Sequence, residues 1–231
     1  MNTPTDPNPN IVRLRRLDAC AMSDAMDTLN LTGVASGFPQ QSGSGRIAGQ
    51  VITVKLGTGE PPPGPPRHLC CTAISLAGPA HVIVIEQRTG IDAGSWGGLL
   101  TLGAKLRGVA GAIVDGPVRD IDEAQVYGFP IFTHSLTART ARGRIIEKAT
   151  NVPVTIGAVT VDPGDYVIAD RSGVVFIGAA QIGVVLDAAE LIAAREAGIA
   201  KLLLGGTPIC EALGGNYEYM LQAHALGNRT R

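Results

Sequence analysis

Two short, nearly uninterrupted apolar runs, His81–Ile85 (HVIVI) and Val109–Val114 (VAGAIV), flank a stretch whose apolar residues recur at helical spacing. No other feature limits the fold as strongly. A strand that is apolar on successive residues has both faces covered, which is the mark of a parallel sheet inside an α/β layer. The intervening stretch, Ser95–Arg107, places Leu99, Leu102 and Leu106 about one turn apart, and Gly108 follows where helices commonly stop. Strand, helix and strand therefore read as one right-handed β-α-β unit.

The same reasoning extends along the chain. Residues 1–9 are polar and Pro-rich and read as a disordered lead, with one domain over residues 10–231. Helices are expected over about Asn10–Leu17 and over SDAMDTLNL, with Ser23 as N-cap. Arg46–Leu56 reads as a strand, and GTGEPPPGPP (Gly57–Pro66) as a surface loop, because its prolines forbid helix and central strand. His68–Leu76 is expected to be a helix, a short helix is expected near Glu123–Tyr127, and Phe129–Phe132 reads as a strand. Val152–Ile177 alternates strands and turns, including DPGD (Asp162–Asp165). A long helix, Ala180–Leu204, is expected to close the domain before Gly205–Gly206. The fold class is thus a single layered α/β domain, a central β-sheet flanked by helices, with a long C-terminal helix.

Composition excludes several functions. Lys plus Arg (19) nearly balances Asp plus Glu (20), so no electrostatic trap for nucleic acid or an anionic membrane is expected. Aromatics make up 4% of residues, too few for stacking on single-stranded bases. No apolar run reaches transmembrane length. The N-terminus lacks the apolar segment of a signal peptide, and Cys20, Cys70, Cys71 and Cys210 form no C-x-x-C pair. Free thiols in a cytoplasmic protein are the expectation.

Chemistry concentrates in Gly97–Asp120 (GGLLTLGAKLRGVAGAIVDGPVRD). Asp115, Arg119 and Asp120 fall at or past the carboxyl end of a buried strand, the edge where α/β sheets bind ligands. Gly97–Gly98 opens a helix whose free N–H groups can hold a carboxylate. Arg119 could clamp the same anion, and Asp120 offers hard oxygen to Mg²⁺ or Mn²⁺. By residue type alone Arg119–Asp120 is equally an exposed ion pair. Glu196 lies on the long helix's apolar stripe (Val185, Ala189, Ile192, Ile199, Leu203). It is either a solvated edge or a carboxylate aimed at a metal or a partner. His68, Asp92 and Asp115 are further candidates near the cleft, while His81, His134 and His224 have no ligand spacing.

The Gly97–Asp120 run resembles the signature of the RraA-like family, which includes 4-hydroxy-4-methyl-2-oxoglutarate aldolase and 4-carboxy-4-hydroxy-2-oxoadipate aldolase. SDAMDTLNLTG, GRIAGQVITVK, GFPIFTHSLTARTARGR and PGDYVIADRSGVVFI are similar too. The resemblance implies a trimer or a dimer of trimers with sites between subunits. It makes Arg119 the substrate clamp, Asp120 the ligand of a divalent metal (Mg²⁺ or Mn²⁺), and Leu99 and Leu100 the amides that hold a pyruvate carboxylate. The Gly98 N–H is expected to join them on that carboxylate, and Glu196 matches a carboxylate from the adjacent subunit. One position departs: the signature Asp, twenty residues before Arg-Asp, is Gly98 here. In the aldolases that side chain helps hold water on the metal. Asp92, Asp115 or Asp122 would have to replace it.

The activity implied is C–C cleavage of a 2-oxo acid to give pyruvate, by retro-aldol reaction or oxaloacetate-type decarboxylation. Two alternatives stand beside it. One is a non-catalytic regulator resembling the ribonuclease E inhibitor. The other is a different metal-dependent enzyme on the same site. A methyltransferase is excluded for want of a dinucleotide-type Gly fingerprint.

Overall fold

A computed structural model describes residues 8–65 and 67–218. Residues 1–7 of the expected lead, and His224, lie outside the described residues. Asn8 and Pro9 do not belong to a disordered lead. Asn8 caps the first helix, α1 (Pro9–Leu14), its side chain accepting the Asn10 N–H at 3.0 Å, and Pro9 takes the first helical position, where no N–H is needed. Helix α2 (Ala19–Thr28) starts earlier than expected. Its cap is Asp18, whose Oδ1 accepts the Ala21 N–H at 2.8 Å, and Ser23 lies inside it. Ala19, Ala21 and Met22 are buried, so the apolar face begins before Ser23.

Eleven strands follow among the described residues: β1 (Val34–Ala35), β2 (Gln40–Ser42), β3 (Ile47–Gly57), β4 (His81–Glu86), β5 (Gly111–Val118), β6 (Ile131–Leu136), β7 (Ile146–Thr150), β8 (Val154–Ile156), β9 (Val159–Val161), β10 (Tyr166–Asp170) and β11 (Gly173–Ile177). The main sheet runs β1-β11-β10-β3-β4-β5-β6-β2, with β7 paired to the far half of β3 and β8-β9 forming a separate hairpin. Strands β3 to β6 are parallel and lie side by side in chain order, while β10 and β11 are antiparallel. The crossovers are α3 (Cys71–Leu76), α4 (Gly98–Leu106) and α5 (Ile121–Val126).

Alternation along the strands sorts the core into two layers. Ile83 and Ile85 of β4 and Ala112 and Val114 of β5 pack with α3, α4 and α5. On the same face, Ile168 and Ile177 pack with α1, α2 and α6 (Ile182–Leu204). The opposite face, with Val82, Val84 and Ile113, is covered by Phe38 and the β8-β9 hairpin. Burying one such aliphatic side chain contributes about 1.5–3 kcal/mol. All the helices of this core therefore lie on one face. Two buried acids, neighbours in register, pin the hairpin to the other: Thr155 N–H donates to Glu86 Oε2 at 2.6 Å and Gly157 N–H to Asp115 Oδ2 at 2.8 Å.

Three readings change. The first-turn side of α4 buries Gly98, Leu100, Thr101 and Ala104, whereas Leu99 and Leu106 are 86% and 79% exposed. The helix expected from His68 begins at Cys71, because Cys70 is left-handed (φ 65°) and interrupts it, leaving His68 in a loop. Helix α6 buries Val185, Ala189 and Ile192, but α7 (Ile209–Glu218), kinked at Gly214, follows it.

Candidate functional site

The site grows from the end of β5. Beyond Val118 the strand is joined by residues 94–97 as an added rung: Ser95 N–H donates to Pro117 O at 2.7 Å and Arg119 N–H to Trp96 O at 3.0 Å. Thr137 N–H donates to Val118 O from the other side at 2.9 Å, and Gly94 N–H to Arg139 O at 2.9 Å. Three loops are thus tied together where two helices begin. Trp96, 1% exposed, anchors them. Its ring stacks on Phe129 (centroids 6.2 Å apart), and Nε1 donates to Thr101 Oγ1 at 2.8 Å, which donates to Gly97 O at 3.0 Å.

Asp120 sits in the left-handed region (φ 58°, ψ 39°), a conformation that Asp tolerates better than most residues. That turn sends its carboxylate back over the start of α4. Oδ2 accepts the Gly98 N–H at 2.9 Å, and Oδ1 accepts from Arg119 Nε at 3.3 Å. The two side chains are each about one-third exposed (35% and 32%), so they face a solvent-reachable space. The space is a cavity of about 210 Å³ whose lining includes His68, Leu100, Arg119, Asp120, Thr140 and Arg142. Gly97 and Gly98 make it possible. A β-carbon on Gly97 would stand 2.9 Å from Asp120 Oδ2 and 3.1 Å from Arg119 Cγ, and one on Gly98 would meet the Glu123 carboxylate.

Of the residues singled out in the sequence, Gly98, Leu99, Leu100, Arg119, Asp120 and His68 line this one cavity. Because the Gly98 N–H is committed to Asp120, the N–H groups of Leu99 and Leu100 are the ones that helix geometry leaves for an anion. Asp92 and Asp115 are not here. They line a separate cavity of about 540 Å³, where Asp92 pairs with Arg139 at 3.3 Å and Asp115 holds His134 Nε2 at 3.0 Å. Glu196 lines neither cavity and lies half-buried on α6, which packs against α1, α2 and α7. Sequence reasoning missed Glu123, Arg142 and Trp96. The Arg-rich TARTARGR segment was a signal for Arg142, but Glu123 reaches the site only through the geometry of the Asp120 turn.

Asp120 and Glu123 provide hard carboxylate oxygens of the kind that Mg²⁺ and Mn²⁺ take. Among the described residues no group of three His, Cys, Asp or Glu converges as a ready-made metal cage. An ion held by one or two carboxylates keeps water or ligand oxygens for the rest of its shell, which is the usual habit of Mg²⁺. The donor set fits such an ion. Among the described residues, no helix is long and apolar enough to cross a membrane.

Comparison with known proteins gives the family and the fold. The model of the RraA-like family, described as Aldolase/RraA, matches residues 19–176. Protein DlpA of Legionella pneumophila is 27% identical over 209 residues, 90% of this chain, which spans only about a third (34%) of DlpA's length. A protein of Halalkalibacterium halodurans provisionally named 4-hydroxy-4-methyl-2-oxoglutarate aldolase is 30% identical over 78% of this chain and 81% of its own. The crystal structure of an uncharacterized protein from Pseudomonas syringae pv. tomato superposes with a TM-score of 0.78 at 26% identity, covering 92% of this chain and 98% of that one.

Proposed function

The chain belongs to the RraA-like, Aldolase/RraA family, and from that premise we propose that it is a divalent-metal-dependent lyase that cleaves a C–C bond of a 2-oxo acid to release pyruvate. One observation carries the reading: a guanidinium, a helix N-terminus and a carboxylate converge on one cavity at the carboxyl end of a parallel strand.

Asp120 would hold Mg²⁺ or Mn²⁺. The bound ion supplies Lewis acidity to the carbonyl, offsetting the charge that develops as the bond breaks. Arg119 and the N–H groups of Leu99 and Leu100 bind the substrate carboxylate and fix the 2-oxo group against the Asp120 side. Arg142 gives the lining a second guanidinium, which suits a substrate with a second carboxylate. Retro-aldol cleavage and decarboxylation leave the same pyruvate fragment, so both fall within this chemistry.

The site as described is one-sided. Leu99, Leu106 and Val126 (83% exposed) leave apolar surface on α4 and α5, the kind that a second copy covers. In the proposed trimer or hexamer a neighbouring copy closes the cavity, and Glu196 serves the neighbour's site rather than its own.

The test is pyruvate release from 4-hydroxy-4-methyl-2-oxoglutarate and from oxaloacetate, followed with and without Mg²⁺ or Mn²⁺. Turnover is expected only with metal, and loss of it in Asp120→Asn. Full metal-dependent turnover in Asp120→Asn would sink the assignment.

A further inference from the structure

We propose that Glu123 is the second carboxylate of this site, reaching across Gly98 to bind the divalent cation or its water shell alongside Asp120. The proposal rests on the site reading given above and adds a residue to it. Glu123 stands three residues after Asp120, in the first turn of α5, so the left-handed turn that aims Asp120 at α4 aims Glu123 the same way. Its Oε2 stands within clashing distance of the point where a β-carbon on Gly98 would be, and the β-carbon of Asp120 lies 3.3 Å from that same point. Any side chain at position 98 would evict this carboxylate, so glycine at 98 and glutamate at 123 form a matched pair. Among the described residues, Glu123 has neither a hydrogen-bond donor nor an ion-pair partner for its carboxylate, whereas both oxygens of Asp120 are engaged. Glu123 is exposed at the edge of the cavity, and its carboxylate stands beside the first residue of α4 and next to Asp120, within reach of an ion that Asp120 binds. Of the acids singled out in the sequence as substitutes, Asp92 and Asp115 line the other cavity and have partners of their own, and Asp122 is exposed in the first turn of α5.

The experiment is calorimetric titration of the full chain with Mn²⁺ alone, with the fold of each variant checked by circular dichroism. Glu123→Gln is expected to weaken Mn²⁺ binding about tenfold or more. Gly98→Ala is expected to do the same with the fold intact, because its methyl displaces the flexible end of Glu123 and meets the Asp120 β-carbon at 3.3 Å. Gly98→Asp combined with Glu123→Gln is expected to restore binding toward wild type, by returning a carboxylate from the other side of the pair. If Glu123→Gln binds Mn²⁺ as tightly as wild type, the proposal is overturned. Loss of Mn²⁺ in Asp120→Asn in the same series would leave the site reading standing. Wild type failing to bind Mn²⁺ would overturn both.

Discussion

Asp120 Oδ2 accepts the N–H of Gly98 at 2.9 Å across 22 residues of chain, so a single carboxylate faces the cavity and also caps helix α4. Substitutions at Asp120 therefore mix two effects that the choice of side chain can separate.

Asparagine keeps an oxygen for the Gly98 N–H and tolerates the left-handed backbone. Alanine loses the cap, at about 1 kcal/mol, and strains the turn by about another 1 kcal/mol. Both variants are expected to lose turnover. Urea denaturation should find Asp120→Ala less stable by about 2 kcal/mol and Asp120→Asn nearly unchanged.

Arg119 owes its position to two glycines. A β-carbon on Gly94 would stand 3.0 Å from both Cγ and Cδ of Arg119. Gly94→Ala is expected to push the guanidinium out of place, and Arg119→Lys to remove its bidentate fork. Each should raise KM for a 2-oxo acid by about tenfold, equivalent to 1.4 kcal/mol, with kcat less affected. Unchanged KM in Arg119→Lys would remove it from substrate binding.

Cys70 is fully buried, and burial pushes its thiol well up from the ordinary range, with the Glu147 carboxylate adding to the effect. Cys20, Cys71 and Cys210 are exposed. A thiol reagent should label those three in the native protein and reach Cys70 only after denaturant is added, as read by mass spectrometry.

His81 opens β4, and burial pushes its imidazole below the ordinary value of 6.5. The unfolded chain therefore binds a proton that the folded chain resists. Its contribution to stability is complete above about pH 6.5 and is lost as pH falls through the lower, folded value. Melting temperature should drop over that acid window, and His81→Asn should flatten the drop.

Much of this fold could be read before any coordinates. HVIVI and the run ending at Val114 are buried on both faces, and Gly108 stops α4. The failures have physical causes. Leucine spacing placed Leu99 and Leu106 inward, but α4 buries Gly98, Leu100, Thr101 and Ala104 instead, a face turned further round the helix. Ser23 is of a residue type that caps helices, but Asp18 does the capping, because the buried face of α2 already includes Ala19, Ala21 and Met22. At the site, Gly98 read as a missing carboxylate. Glu123 fills that space through a backbone turn at Asp120, and no spacing rule encodes a left-handed residue.

The parallel strands lie in chain order, and their helices all cross on one face. No two neighbouring crossovers part to opposite sides, so the sheet opens no crevice of its own. Whatever cleft exists must be assembled from the turns beyond the strands, 94–98, 119–123 and 137–142. Inheritance then works on the two parts separately. The scaffold can be passed on intact while a few turn residues vary, and Gly98 and Glu123 both belong to those turns.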